Sequence, residues 1–173
     1  SARLGVNGAE LEPSDHNVSR DPESAAIVFR SGAPIVMCGY DVTRQVLIRE
    51  PHIQRLENSE NLLCQTMGKM IRIWLKYWKR EYTAMNDPLC VTLAFDPTFC
   101  AGPMMDVDVE YDHRHPTGRT ICTLPDTPWT SPEEREIQRE EPKTKVCLEV
   151  DAERFINLLM ERVCTQKPDI TKI

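Results

Sequence analysis

Polar side chains of the types that bind and react are concentrated at two places in the sequence. Asp15 and Asn17 stand in a polar N-terminal segment, and Asn86 and Asp87 stand directly before Pro88. A carboxylate beside an amide can accept and donate hydrogen bonds in a fixed pattern. The same residue types also form Asx turns, and Asp87 is well placed to cap a helix that has Pro88 at its first position. A binding role and a purely local role are therefore both open at these positions.

Patterns typical of several other kinds of site are absent from the sequence. It has no glycine-rich phosphate loop, no Ser-His-Asp or Cys-His arrangement above chance and no internal repeat. The formal charge of −6 and the pI near 5.3 argue against a general nucleic-acid-binding surface, because neutralising phosphates requires basic residues. With no signal peptide and no apolar run long enough to cross a bilayer, we expect a soluble intracellular protein without membrane contact.

Seven cysteines are scattered through the chain, an odd number without CxxC spacing. Most lie among apolar residues, which is typical of buried thiols in a reducing compartment rather than of a disulfide framework or a zinc site. We therefore expect the cytoplasm or an organelle matrix. The cysteines are Cys38, Cys64, Cys90, Cys100, Cys122, Cys147 and Cys164.

The elements that must position the polar residues are clearest between residues 21 and 43. Asp21 can cap a helix whose first turn accepts Pro22, and Gly32 supplies a left-handed stop. The run 34–38 is short and uniformly apolar, which predicts a strand covered on both faces. A helix that leads into such a strand is half of an α/β repeat.

An ordered series of motifs gives the chain a resemblance to a known family, the inosine-uridine-preferring nucleoside hydrolases. The series spans roughly residues 7 to 164 in the order and spacing of that family. The matching motifs are Asp15-x-Asn17, Asp21-Pro22-Glu23-x-Ala25-Ala26, Pro34-Ile35-x-Met37, Asp41-Val42-Thr43, Asn86-Asp87-Pro88-Leu89, Asp96-Pro97 and Val150-Asp151-x-x-Arg154-Phe155.

The resemblance implies an α/β fold, the C-terminal half of a Rossmann-like, mostly parallel nucleoside-hydrolase sheet with a small β-hairpin and a helical segment. We expect residues 1–173 to form a single partial domain of this kind. The family's N-terminal half, whose aspartate-rich motif holds most metal ligands, has no counterpart here. The chain is expected to be a fragment, a subunit awaiting a partner or a degenerate relative.

The resemblance also implies a sugar-binding role for the N-terminal loop. Asn17 matches a substrate-binding asparagine, Asn7 matches an earlier one, and Asp15 stands where the family usually has Glu. Carboxylate and amide groups suit the vicinal hydroxyls of a furanose. The shorter Asp withdraws its carboxylate and weakens the grip. Alternatively, Asp15 and Asn17 only form Asx turns.

At the second place, Asn86 stands where the family has the histidine that protonates the leaving base. A carboxamide does not titrate near neutral pH, so acid catalysis is lost there while hydrogen bonding to a base remains open. By resemblance, Asp87 is one ligand of a catalytic Ca²⁺. Because calcium takes six to eight oxygens, we expect no metal bound by this chain alone.

The longest predicted helix, residues 60–82 with a cap at 58–60, has an apolar face and a basic stripe. The stripe could contact RNA, a phosphate-rich partner or an acidic protein, or it could be a solvated helix face. Its residues are Lys69, Arg72, Lys76, Lys79 and Arg80.

The C-terminal third predicts a β-hairpin, an insertion and a closing strand and helix. The strand 104–111 alternates and can pair with 118–124, whereas 125–142 is rich in proline and acidic residues and reads as a mobile insertion. Residues 145–150 then predict a strand, and Asp151 a helix cap.

Two functions are compatible with these patterns. In the first, the chain is part of an N-ribohydrolase that lacks too many groups to act alone. In the second, it is a non-catalytic structural or interaction subunit that reuses the hydrolase scaffold. Either way, we expect a hetero- or homo-oligomeric protein partner that covers the missing half-sheet, since open strand edges and faces need cover.

Overall fold

The computed structural model describes residues 15–111, 118–123 and 143–165. Asn7 and the predicted insertion at 125–142 lie outside the described residues. The described residues form two compact units: the first lies within Ser1–Thr43 and Cys100–Val150, the second within Arg44–Phe99 and Asp151–Ile173. Each unit has its own buried apolar cluster.

Among the described elements, helices dominate the chain up to residue 99, and five strands then follow one another before the last helix. The helices are α1 (His16–Arg20), α2 (Pro22–Arg30), α3 (Tyr40–Thr43), α4 (Glu50–Glu57), α5 (Leu62–Trp78), α6 (Asn86–Phe95) and α7 (Ala152–Thr165), with a 3₁₀ turn at Pro97–Phe99. The strands are β1 (Ile35–Met37), β2 (Leu47–Ile48), β3 (Thr83–Ala84), β4 (Cys100–Ala101), β5 (Met104–Glu110), β6 (Arg119–Thr123), β7 (Thr144–Val146) and β8 (Glu149–Val150).

The first unit contains a mixed four-stranded sheet with the order β1-β7-β5-β6. Strand β1 runs parallel to β7, while β5 is antiparallel to both β7 and β6. The predicted hairpin is therefore present, with Val107 opposite Cys122. Met37, Met105 and Val146 form the buried cluster beneath this sheet. The α/β class predicted from the sequence is confirmed, but among the described strands the sheet is mixed and not mostly parallel, because only the β1–β7 pair is parallel.

The helix and strand at the start of the first unit follow their sequence signals in part. The Asp21 carboxylate accepts a hydrogen bond from the Ser24 amide at 2.9 Å, and Gly32 has a φ of 75° just after α2 ends. The strand, however, is not covered on both faces, because the side chain of Val36 is 46% exposed. Among the described strands β1 lies at the end of the sheet order, so only one flank is paired.

The strand predicted at 145–150 is divided into β7 and β8, which join different sheets. Strand β7 pairs with β1 and β5, whereas β8 pairs with β4. The Leu148 amide donates to the Ala101 carbonyl at 2.9 Å between the two pieces. A Cβ at Gly102 would overlap the Val146 carbonyl, so only glycine allows the chain to pass this close.

The second unit is organised by α4, α5 and α7 around one apolar cluster. Its buried members are Ile48, Ile53, Leu56, Cys64, Leu75 and Met160. The short β2–β3 pair precedes α6 and is antiparallel. Asp151 caps α7 as predicted, accepting from the Arg154 amide at 3.1 Å, and Phe155 is buried on that helix.

Helix α5 is shorter than the predicted span of 60–82. Its cap is Asn61, whose side chain accepts from the Leu63 amide at 2.9 Å, and not a residue of 58–60. Lys79 ends the helix in a left-handed conformation with a φ of 51°. The apolar face is also divided: Leu75 is buried, but Met70 is 64% exposed. Within the described residues, no helix combines the length and apolar character needed to span a membrane.

Candidate functional site

In the first unit, Asp15 and Asn17 lie together at the start of α1. The Asp15 carboxylate accepts from the Asn17 amide at 2.9 Å and from the Val18 amide at 3.4 Å, which is an Asx turn and a helix N-cap. The side chain of Asn17 is exposed. The local role foreseen for Asp15 is thus present, and it holds Asn17 at a fixed position on the first turn.

In the second unit, Asn86 and Asp87 occupy the first turn of α6. The prediction that Asp87 caps this helix is wrong, because the helix begins at Asn86 and Met85 occupies the cap position without a side-chain hydrogen bond. The Met85 amide donates to the Val46 carbonyl at 2.9 Å, which fixes the chain as it enters the helix. Buried Leu89 anchors the next turn.

Both side chains at the start of α6 are open to solvent. Asn86 and Asp87 are exposed, and within the described residues neither side chain makes a hydrogen bond or ion pair. The charge of Asp87 lies in the first turn, where the helix dipole favours a carboxylate. This arrangement presents one neutral amide and one carboxylate to whatever approaches the N-terminus of α6.

A calcium site would need more oxygen ligands than Asp87 offers. Calcium in proteins takes six to eight oxygens, usually from several carboxylates. Over residues 15–111, 118–123 and 143–165, no group of three or more His, Cys, Asp or Glu side chains is arranged to hold a metal ion. The residues described here therefore do not fit a calcium ion on their own.

Two motifs that lie far apart in the sequence meet at an ion pair in the second unit. Arg154 donates to the Asp96 carboxylate at 2.7 Å and to the Thr98 hydroxyl at 2.9 Å. Its guanidinium also stacks over the Phe99 ring, 3.9 Å from the centroid. Hydrogen bonds from the Thr98 hydroxyl and amide, with Arg154 beside them, lower the pKa of Asp96.

The ion pair gives a physical reason why the motifs that contain Asp96 and Arg154 occur together in one series. They tie the end of α6 to the start of α7 and hold the ring of Phe99 against buried Phe155, whose centroid is 6.2 Å away. Sequence spacing alone gave no signal for the contact, since it joins segments that are far apart in the chain.

The basic stripe of α5 is partly neutralised inside the second unit. Arg72 donates to Glu57 at 2.6 Å and to Glu50 at 2.8 Å. Hydrogen bonds from Arg72 lower the pKa of both carboxyls. Lys79 and Arg80 lie beyond the helix, and the Arg80 guanidinium stands 5.7 Å from the Trp74 ring centroid. The prediction of a nucleic-acid or acidic partner stays a prediction.

One group of thiol side chains was not predicted from the sequence. Cys38, Cys100 and Cys147, which are scattered in sequence, come together in the first unit through hydrogen bonds between their thiols. The expectation of mostly buried thiols holds only in part, because three cysteines are buried, three are half-buried and Cys90 is exposed. The available signal was positional, because Cys38 and Cys147 each lie in a run predicted to be a strand, 34–38 and 145–150.

Comparison with known proteins gives a consistent result. Residues 5–157 match the family described as inosine-uridine preferring nucleoside hydrolase. The chain is 29% identical over 157 residues to the pyrimidine-specific ribonucleoside hydrolase RihA of Photobacterium profundum, which covers 86% of this chain and 46% of that protein. It is 26% identical over 173 residues to RihA of an Enterobacter species, covering 94% and 52%. The chain thus spans about half the length of the curated relatives it matches.

Solved structures of related sequence have the same fold. A plant nucleoside hydrolase, PpNRh1, superposes with a TM-score of 0.74 at 26% identity, covering 87% of this chain and 47% of that one. A purine-preferring ribonucleoside hydrolase from Gardnerella vaginalis superposes with a TM-score of 0.72 at 29% identity, covering 87% and 46%.

Proposed function

Because the chain belongs to the inosine-uridine preferring nucleoside hydrolase family, we propose that it carries sugar- and base-contacting groups of a ribonucleoside N-ribohydrolase and does not hydrolyse nucleosides by itself. The family match over residues 5–157 supports the contacting groups. The proposed lack of hydrolysis rests on Asn86, a carboxamide that does not titrate near neutral pH, and on Asp87 as a single candidate metal ligand. The substrates are ribonucleosides, and the bond cleaved in the complete site is the N-glycosidic bond.

The sugar contacts are proposed for the start of α1. The exposed amide of Asn17 can both donate to and accept from a ribose hydroxyl. The carboxylate of Asp15 already accepts a hydrogen bond from the backbone N–H of Asn17 at 2.9 Å, which orders the turn. Asn7 belongs to the same proposed set by sequence. Because Asp15 caps the turn, its carboxylate has less freedom to adjust to a bound sugar, and we expect the binding to be weak.

The base contact is proposed for Asn86. A nucleobase is a poor leaving group and departs more readily when a proton reaches it in the transition state. The carboxamide of Asn86 can hydrogen-bond the base but carries no proton to give near neutral pH. This chain therefore binds the leaving base at that position without acting as its general acid.

Activation of water requires groups that this chain does not supply alone. Asp87 offers one carboxylate, and the described residues hold no cluster fit for a cation. The remaining carboxylates would come from another segment or another chain. We assign Asp87 the role of one oxygen ligand in that shared site and derive no catalytic step from it.

Ribose release from inosine and uridine in the presence of calcium tests the proposal. The purified chain is expected to release no ribose above the protein-free control. An assembly with a companion that bears clustered aspartates is expected to release ribose, and Asp87→Asn is expected to abolish it. The matched control Asp106→Asn removes an exposed carboxylate from β5 and leaves the rate unchanged. Turnover by the purified chain alone would refute the proposal.

A second function, that of a non-catalytic structural or interaction subunit, is favoured by the exposed apolar side chains of α5. Apolar side chains grouped on one helix are typical of surfaces that a partner covers. Lys69, Lys76 and Arg80 near this face could add contacts to RNA or to an acidic partner. The exposed apolar residues are Leu62, Leu63, Met70, Ile73, Trp74, Tyr77 and Trp78.

Light scattering separates this second function from a self-sufficient protein. We expect the chain to elute as a homo-oligomer or to aggregate unless its partner is present, because the α5 side chains are uncovered. A well-behaved monomer of 19.9 kDa would count against a partner under either function. The free state of all seven thiols further leads us to propose a reducing compartment.

A further inference from the structure

Strands β1 and β7 bring two cysteines side by side in the first unit. The strands are parallel with Met37 opposite Val146, so the next residues, Cys38 and Cys147, leave the sheet at the same end. The Cys147 amide donates to the Met37 carbonyl at 3.0 Å, which continues the pairing to this point. The placement of both thiols follows from the register of the sheet.

A third cysteine, Cys100, is brought to the same place by β4. The Lys145 ammonium donates to the Cys100 carbonyl at 3.1 Å, and the Leu148 amide donates to the Ala101 carbonyl at 2.9 Å. Gly102 lets this segment pass against the Val146 carbonyl. Cys100 is thus held beside the segment between β7 and β8 that contains Cys147, through Lys145 before Cys147 and Leu148 after it.

The three sulfurs form a hydrogen-bonded group rather than three separate thiols. The Cys147 thiol and, less strongly, the Cys38 thiol donate to the sulfur of Cys100, and these bonds hold the pKa of Cys100 well below its ordinary value. The positive charge of Lys145 acts in the same direction, while burial opposes it. The thiolate is the nucleophilic form of cysteine, and Cys100 is the member of the group whose sulfur contacts both of the other two.

We propose that Cys38, Cys100 and Cys147 form an oxidation-sensitive thiol site, in which Cys100 reacts with hydrogen peroxide and then forms a disulfide with one of its two neighbours. The Cys100 thiolate attacks one peroxide oxygen and the O–O bond breaks. Hydroxide is the leaving group, and Cys100 becomes a sulfenic acid. The neighbouring thiol then attacks that sulfur, the S–S bond forms, and water leaves. In total, two thiols are oxidised and one peroxide is reduced to two waters.

The surroundings of the group support oxidation over metal binding. Cys100 and Cys147 are buried, whereas Cys38 is only half-buried, so the exposed part of the group is at Cys38. In the parts of the chain that the structure describes, no three Cys, His, Asp or Glu side chains have an arrangement fit for a metal ion. A disulfide needs only one close neighbour, and Cys100 has two.

The second unit contains a natural comparison, the pair Cys64 and Cys164. The Cys64 thiol donates to the Val163 carbonyl at 2.9 Å. Burial, followed by the neighbouring Cys64, raises the pKa of Cys164. Two sulfurs are therefore close in both units, but only the group around Cys100 has a sulfur that favours the thiolate. Proximity alone predicts equal reactivity for the two groups, and the proposal predicts a difference.

Mass spectrometry of the whole chain after stepwise peroxide treatment and alkylation in denaturant tests the proposal. We expect a peptide that joins Cys100 to Cys147 or to Cys38 at about ten-fold less peroxide than any joining Cys64 to Cys164. Cys100→Ser should abolish the first linkage. Cys90→Ser, which removes an exposed thiol, should leave it unchanged.

The unsubstituted chain alone can overturn the proposal, so misfolding of Cys100→Ser would not obscure the answer. Formation of the Cys64–Cys164 linkage first, or full alkylation of Cys100 at a peroxide concentration that already oxidises Cys90, would show that the group has no special reactivity. This outcome is independent of the ribose-release assay, because the thiol site uses no residue assigned to sugar, base or metal.

Discussion

Asn86 presents an exposed carboxamide in the first turn of α6, and its chemistry limits what this chain can do. A carboxamide orients a nucleobase by hydrogen bonding but does not protonate it. Asp87 beside it supplies one carboxylate, and Asp15 is occupied in part by capping α1. At the scale of single residues, the proposed site therefore has more groups for binding than for bond cleavage.

Replacement of Asn86 by histidine is expected to restore acid catalysis in the ribose-releasing assembly. The imidazolium can give a proton to the departing base, so kcat should rise by roughly 10²-fold. The gain should fall as pH rises through the pKa of the new histidine, because only the protonated ring can donate. Steady-state rates from about pH 5 to pH 9, an interval that contains the ordinary pKa of histidine, measure this loss of the gain. An equal gain in the control Asn86→Gln would contradict the acid role.

The cap at Asp21 gives a pH-dependent contribution to stability. Hydrogen bonds from the Ser24 amide and hydroxyl lower the pKa of Asp21. A lowered carboxyl pKa means that the stabilisation is present above the ordinary value of 3.8 and is lost as pH falls through the folded value. Asp21→Ala should therefore lower Tm at neutral pH, with a difference that shrinks in acid. Thermal melts of the unsubstituted chain and of Asp21→Ala from neutral pH into acid, with Asp106→Ala as control, measure this difference in Tm. A difference in Tm that grows in acid would contradict the prediction.

At the scale of elements, the junction of β4, β7 and β8 holds the first unit together around Gly102. The chain passes so close to the Val146 carbonyl that no side chain fits. This junction also places Cys100 against Cys147, so one glycine determines both the local packing and the thiol group.

Gly102→Ala is expected to destabilise the first unit strongly. The added Cβ would overlap the Val146 carbonyl, and backbone atoms cannot move away as a flexible side chain can. The free energy of unfolding should fall by about 3 kcal/mol or more, at the upper end of overpacking effects. Urea unfolding measures this, and Ala101→Ser at the neighbouring exposed position should change it by less than about 0.5 kcal/mol. Equal urea midpoints for Gly102→Ala and Ala101→Ser would contradict this, because they would show that the backbone at Gly102 moves to accept a Cβ.

Local signals predicted some elements correctly, but the caps expected at Asp87 and at 58–60 were wrong, and contacts between distant segments had no local signal. The cap of α2 needs only Asp21 and its next three residues, and the hairpin needs only alternation over 104–111. The exposure of Val36 depends on what lies beyond β1, which periodicity does not report. The Arg154–Asp96 ion pair and the three thiols around Cys100 join segments that are far apart, so spacing gave no warning of them.

At the scale of the whole molecule, the chain has the family's fold and spans about half the length of its curated relatives. The candidate sugar residues lie in one compact unit and Asn86 and Asp87 in the other. The family supplied the candidate site, which composition and charge alone did not. The proposal that another segment or chain supplies the remaining metal ligands depends on Asp87 being unable to bind a cation by itself.

Calorimetric titration of the purified chain with calcium tests that point most directly. We predict no saturable binding up to about 1 mM calcium, the weak end of known protein sites, because one carboxylate cannot replace six to eight oxygens. Asp87→Asn should give the same trace as the unsubstituted chain. A saturable one-to-one isotherm that Asp87→Asn abolishes would contradict the account, since it would show that this chain assembles the cation site by itself.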